Sequence, residues 1–281
     1  MRHTIEALLL SAALAGCSAP FQSPPSPSAS SGTGIAALFP SGATIVDTKT
    51  MGNSTAVVMA LPVGAPRGSL PAPPPDAELA VASSTPAGWR LNKAVVQQFA
   101  QAPELTVAQV AGVPAAGMAF HTGANSAGLV VIRNDAVVYD GVADSVQLQD
   151  LDGDGWAEVV KAWSPFCRSH ADSPPLHTVY AWIGGAFVPA TDHFPNLVAQ
   201  DAASFQAAVA RANSSQTTPA WDAASKACLH DSLAYLAQLA GDAQQAAAEK
   251  AQVRQLDPAY DVDAVAKAAA GEPAQTMPVA R

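Results

Sequence analysis

The texture of this chain changes once, near residue 196, and that change restricts the fold more than any other feature. Before it, short runs rich in Val, Ile, Thr and aromatic residues alternate with Gly and Pro; after it, β-branched residues thin out and alanine dominates. Runs of the first kind form strands joined by tight turns, whereas Ala-rich stretches favour helix. Strands first and helices afterwards define an α+β chain. The expected architecture is a β-rich hairpin/meander body over residues 35–195, a helical C-terminal segment over 196–270 containing an α-helical hairpin, and a tail at 271–281.

Within the body, Thr44–Met51 and Ser54–Leu61 flank Gly52-Asn53, a hairpin signal. Gly184-Gly185 gives the same signal between Val179–Ile183 and Ala186–Pro189. Further strands are expected at Leu105–Val110, Gly117–His121, Gly128–Ile132, Ala136–Tyr139, Val146–Gln149 and Trp156–Trp163. Leu91, Val95, Val96 and Phe99 recur at helical spacing, which predicts a short amphipathic helix over Leu91–Gln101. The Pro-rich stretch from Pro62 to Asp76 reads as an exposed loop or linker.

At the N-terminus Arg2 precedes an apolar stretch from Ala7 to Ala15. A membrane-spanning helix takes about 20 residues, so this stretch is too short to cross a bilayer and has the length of a signal-peptide core. It ends in Leu14-Ala15-Gly16-Cys17, which resembles the lipobox of bacterial lipoproteins; the other reading is a short buried helix that contains a cysteine. The resemblance implies that residues 1–16 are a signal peptide, that Cys17 is lipidated, and that the protein is held in the cell envelope. Ser18 after the lipidated residue, where some lineages use aspartate for inner-membrane retention, points to the outer membrane. Residues 18–34 are rich in Ser, Pro and Gly and have almost nothing to bury, so 17–34 reads as anchor and disordered tether.

Removing residues 1–16 deletes Arg2 and Glu6 and leaves the formal net charge at −9. Scattered basic residues on an acidic chain give no footprint for nucleic acid and no attraction to anionic headgroups. The expected partners are the membrane, through the lipid, and another envelope protein. Two cysteines remain after lipidation, Cys167 and Cys228. An even pair in an oxidising compartment reads as one disulfide, the alternative being two buried thiols.

The sharpest chemistry lies in Asp150-Leu151-Asp152-Gly153-Asp154-Gly155-Trp156-Ala157-Glu158. Acids at alternate positions turn three carboxylates inward when the chain curls, Gly155 permits the turn, Trp156 offers its carbonyl, and Glu158 closes the set. Hard oxygen donors in irregular geometry suit Ca²⁺; an acidic turn without an ion is the alternative. This loop is similar to those of two families. The EF-hand needs a bidentate acid three residues beyond Glu158, where this chain has Lys161, and both flanks read as strands. The strand-loop-strand FG-GAP repeat of integrin-like propellers is the nearer resemblance, and it implies Asp150, Asp152, Asp154, Trp156 and Glu158 as ligands. Only one copy of the motif is visible, so no closed propeller follows from it.

Ser225–Pro258 resembles a tetratricopeptide repeat. Leu229, Leu233, Leu236 and Ala240 share one helical face, Gly241-Asp242 breaks the helix, Ala246 and Val253 continue a second, and Pro258 ends it. His230 and Lys250 stand where that family has large apolar residues. An Ala-rich helical hairpin packed on the β body explains the same pattern.

Catalytic candidates are weak. Cys167, His170 and His177 fit no zinc spacing, His121 stands alone in a strand, and His193 and His230 have no partner acid recognisable in the sequence. No nucleophile elbow, H-E-x-x-H or phosphate loop occurs. The expectation is a lipid-anchored, non-enzymatic module for binding or structure, stabilised by calcium. The alternatives are an envelope hydrolase with catalytic residues on dispersed loops, and an assembly partner acting through the helical end.

Overall fold

The computed structural model describes residues 34–61, 76–98, 101–123, 126–169, 172–214 and 220–271. Cys17, the tether, His170, the tail beyond 271 and nearly all of the Pro62–Asp76 stretch lie outside them. Among the described residues, twelve strands precede four α-helices without interleaving, so the chain is α+β. The strands fall into three four-stranded antiparallel sheets, and each is an up-and-down meander of consecutive strands.

The first sheet holds β1 (Thr44–Met51), β2 (Ser54–Ala60), β3 (Asp76–Thr85) and β4 (Gly88–Gln98). The second holds β5 (Gln101–Val110), β6 (Val113–Gly123), β7 (Ser126–Arg133) and β8 (Ala136–Ala143). The third holds β9 (Ser145–Gln149), β10 (Glu158–Trp163), β11 (Leu176–Ile183) and β12 (Ala186–Pro189). The sheets stack face to face in chain order. Val58, Leu79 and Val81 of the first meet Met118, Phe120, Val130 and Ile132 of the second. On the other face of the second sheet, Ala115, Leu129 and Val131 meet Val146, Leu148 and Val159 of the third.

The middle sheet is therefore covered on both sides. Adjacent residues of β7 point to opposite partners, which is why Ala127–Ile132 is an unbroken buried run rather than an alternating one. Gly128 is required there by close approach. It sits opposite Phe120 in the β6–β7 register, and a Cβ would clash with the tip of the Phe120 ring, 2.2 Å from its Cζ.

Successive turns of a meander emerge at alternate edges, so the first and third turns of each sheet share a rim. Gly52-Asn53, Ala111-Gly112, Asn134-Asp135 and Gly184-Gly185 are two-residue turns of this rim. Positive φ at both positions of the last three matches the twist of the flanking strands. The turn between β9 and β10 occupies the same place in the third sheet, but it is the eight-residue acidic stretch 150–157.

Strands β5, β6, β8 and β11 run several residues longer than the sequence reading has them, and two further elements differ more sharply. Leu91–Gln101 is not a helix: residues 88–98 form β4, paired along its length with β3, and Gln101 begins β5. Helical spacing there is coincidental, since Val95 packs into the first inter-sheet core while Leu91 stays exposed. The strand that recruits β4 is Asp76–Thr85, whose Ala and Glu content gives little β signal. The Trp156–Trp163 run also starts its strand later, at Glu158, because Trp156 belongs to the loop.

The helices cap the third sheet. α1 (Pro195–Asn213) begins with proline at its first position, where the missing N–H costs nothing. Asp222 and Asp242 cap α2 (Ala223–Leu239) and α3 (Ala243–Leu256) by accepting the N–H of Ser225 and Gln245. Gly241, at φ 74°, closes α2: its own N–H reaches Gln238 O and that of Asp242 reaches Ala237 O. Buried Asp231 accepts the N–H of Asp263 and Val265 and so starts α4 (Ala264–Gly271). Burial pushes the Asp231 carboxyl up, and these two N–H groups oppose the rise.

His230 and Lys250 are satisfied by polar partners rather than by packing. His230 Nδ1 lies 2.6 Å from Glu249 Oε2, a partner acid the sequence did not reveal, and Lys250 pairs with Asp263. Cys167 and Cys228 form a disulfide with Cα atoms 5.2 Å apart, joining the loop after β10 to α2 within the Phe205–Trp221–Leu229 core.

This bridge closes a loop between residues 61 apart, for which chain entropy gives about 4 kcal/mol of stabilisation. Thermal melts of a Cys167→Ser/Cys228→Ser double variant should show a loss of that order, and the parent protein should fall to the same melting temperature under reducing conditions.

Candidate metal centre

Acidic stretch 150–157 is held at both ends by the sheet. Gln149 and Glu158 face each other as the last pair of the β9–β10 ladder, and Ala157 N donates to Gln109 O of the middle sheet at 2.6 Å. Between these anchors the loop turns on Gly153 and Gly155, both at positive φ (78° and 88°), which a side chain resists.

Carboxylates organise the loop's own backbone. Asp150 accepts the N–H of Gly153 and Gly155 with its two oxygens, at 2.8 and 2.9 Å. Asp152 Oδ1 accepts Asp154 N, Asp154 Oδ1 accepts Trp156 N, and Glu158 Oε2 accepts Leu151 N at 3.0 Å. Five backbone donors thus offset part of the acidic charge. They leave lone pairs on each carboxylate, since an ionised carboxylate offers about four acceptor sites.

Oxygens of Asp150, Asp152 and Glu158 lie within 4.8 Å of one another, with the two aspartates exposed and the glutamate buried. The structure therefore brings together three of the five expected ligands. Asp154 and the Trp156 carbonyl are not in this triad; the Asp154 carboxylate is turned to the Trp156 N–H, and the Trp156 indole is half exposed. An all-oxygen triad can hold a metal ion, and its donors suit a hard divalent cation better than one that prefers thiolate or imidazole.

Electrostatics favour such an ion. Burial pushes the Glu158 carboxyl above its ordinary range, the Leu151 N–H pulls it back, and Asp152, Asp154 and Asp150 raise it further by repulsion. Lys161, the residue in the place of the EF-hand's final acid, is buried in β10 and contributes no carboxylate. Two clefts flank the loop, of about 190 and 350 Å³; Asp152, His193 and Phe194 line both.

Other candidates lie elsewhere. His177 Nδ1 is 2.8 Å from Asp201 Oδ1 on α1, and Asp201 Oδ2 accepts the His177 N–H. Sequence reasoning missed this pair because its members are 24 residues apart on a strand and a helix. Buried Asp201 thereby ties the third sheet to α1, and neither residue lines the clefts beside the acidic loop. His121 is exposed on β6, and Cys167 is committed to its disulfide. No protein-family model, curated protein or solved structure matches this chain.

Glu158→Gln keeps an oxygen for the Leu151 N–H and removes the charge. A carboxyl raised in the folded state binds protons more tightly there than in the unfolded chain, so its ionisation lowers stability as pH rises through and above the ordinary carboxylate range. In chelator, Glu158→Gln should melt no lower than the parent protein at pH 4 and higher at pH 7. Melting curves across that range check the sign, and an unchanged difference would show that the Glu158 carboxyl is not raised by its burial and its neighbours.

Proposed function

We propose that this is a lipid-anchored cell-envelope protein whose β body is a non-enzymatic binding or structural module stabilised by Ca²⁺. The observation that carries the calcium reading is the triad of Asp150, Asp152 and Glu158, three carboxylates within 4.8 Å at the end of the β9–β10 ladder. Calcium takes six to eight oxygens at 2.3–2.6 Å and tolerates irregular geometry. The triad would supply the first ligands, and Asp154 and the Trp156 carbonyl, on the same loop, would join as the loop adjusts. When bound, the ion supplies the positive charge that four carboxylates in nine residues call for. The chain's own residues then fix the β9–β10 connection against the middle sheet through Ala157.

Anchorage rests on the Leu14-Ala15-Gly16-Cys17 motif and the Ser/Pro/Gly tether behind it. Among the described residues no helix is long and apolar enough to cross a membrane. A non-enzymatic role is supported by where the two histidine–acid pairs lie. His177–Asp201 and His230–Glu249 join secondary-structure elements and stand apart from the clefts at the loop.

Calorimetry should detect Ca²⁺ uptake, and tenfold saturation of one site should stabilise the fold by about 1.4 kcal/mol. Asp152→Ala should remove both the uptake and the rise in melting temperature while leaving helical circular dichroism unchanged. Absence of uptake by the parent protein would reduce 150–158 to an acidic turn. Mass spectrometry of the mature N-terminus should find acylated Cys17; an intact Met1 in envelope preparations would remove the anchor from this account.

A further inference from the structure

Five acidic side chains are buried among the described residues: Glu78, Glu158, Asp201, Asp231 and Glu249. Four of them have polar partners: the Leu151 N–H for Glu158, His177 for Asp201, the N–H groups of Asp263 and Val265 for Asp231, and His230 for Glu249. Glu78 is the exception. At 9% exposure it has neither a hydrogen bond nor an ion pair among the described residues. An ionised carboxylate held in this way loses its hydration with nothing to replace it.

Strand register places this group. Glu78 stands opposite Met59 in the β2–β3 ladder and so shares the outer face of the first sheet with Val57, Met59 and Ala82. Ile35, Leu38, Phe39 and Trp89 pack over that face. Gly34 lies so close to the Trp89 indole that a Cβ there would sit 2.7 Å from its Cδ1. The short helix Ile35–Leu38 carries no charge. Asp47, Lys49, Arg90 and Lys93 stand opposite Val58, Ala56, Ser83 and Val81, on the face turned to the middle sheet. Asp76, two residues earlier on β3, shares the face of Glu78 but brings no positive charge. Between the first sheet and its cover there is thus a carboxyl with no cation to meet it.

We propose that Glu78 is a proton-operated latch: protonated, it lets residues 35–39 lie closed on the first sheet, and ionised, it opens that cover to admit water. Burial pushes the Glu78 carboxyl above its ordinary value. A carboxyl raised in the closed form binds its proton more tightly there. Closure is therefore complete below the ordinary carboxylate range and is lost as pH rises through the raised value. This latch is independent of the calcium and lipid-anchor readings, since neither the acidic loop nor Cys17 takes part in it.

Hydrogen exchange of the full chain in chelator, read by mass spectrometry at pH 4 and pH 7, tests the proposal with Glu78→Gln as the neutral isostere. Comparing the two proteins at each pH cancels the intrinsic pH dependence of exchange. The reporting segment is 35–43, where the N–H groups of Phe39 and Ala43 are hydrogen-bonded to Ala36 O and Pro40 O. At pH 7 it should exchange about tenfold more slowly in Glu78→Gln than in the parent protein, the factor that one pKa unit supplies. At pH 4 the two should exchange alike, peptides from α2 and α3 should not differ at either pH, and Asp76→Asn should behave as the parent. The parent alone gives a second readout that does not depend on the variant folding: protection of 35–43 relative to α2 should fall between pH 4 and pH 7. Equal exchange of the two proteins at pH 7, or constant relative protection in the parent, would overturn the latch. Faster exchange of Glu78→Gln at both pH values would also overturn it, by making Glu78 a structural acceptor.

Discussion

Double-sided burial of the middle sheet is the constraint on which the rest of the molecule depends. β6 and β7 carry apolar side chains on both faces, and neither face can meet water without a large loss of buried apolar area. Each face therefore needs its own partner sheet. The first and third meanders supply them, and each is left with one further face to cover. Ile35, Leu38 and Phe39 cover the first sheet over Val57, Met59 and Ala82. The helices cover the third, through Leu176 and the disulfide-bearing loop. The stack ends where polar helix surface begins.

How far the sequence reveals this is uneven, and the reasons are physical. β-branched runs around Gly-rich pairs identify β1, β2 and β12 almost to the residue, and the turn end of β11 but not its start at Leu176, since turn chemistry and strand propensity agree at the turns. Asp76–Thr85 escapes because alanine favours helix and gives little strand signal, and its assignment comes from pairing with β2 and β4 rather than from its own residues. Without that strand, the apolar spacing of 91–99 has no competitor to helix. Threefold repetition of the meander is invisible as well, because Gly52-Asn53, Ala111-Gly112 and the acidic stretch share a position but no sequence.

At the candidate site, what could be read was chemistry, and what could not was geometry. Alternating aspartates mark a loop that gathers oxygens, but only the structure shows that Glu158 is drawn inward by the Leu151 N–H while Asp154 turns to its own backbone. The clefts could not be foreseen, because Phe194 and Ile183 lie far along the chain from Trp156. His177–Asp201 and His230–Glu249 were hidden for the same reason.

Placement of the acidic loop has a consequence for how such a protein can change. It replaces a two-residue turn at a rim shared by all three sheets, yet the β9–β10 register on either side of it is unbroken. Loop length enters the folding free energy only logarithmically, while register is set by the buried faces. The rim is thus separable from the core, and the turns at Asn134-Asp135 and Gly184-Gly185 are ports of the same kind. Foreign recognition loops grafted at either place would inherit a rigid base, and descent with insertion could diversify this surface without touching the stack beneath it.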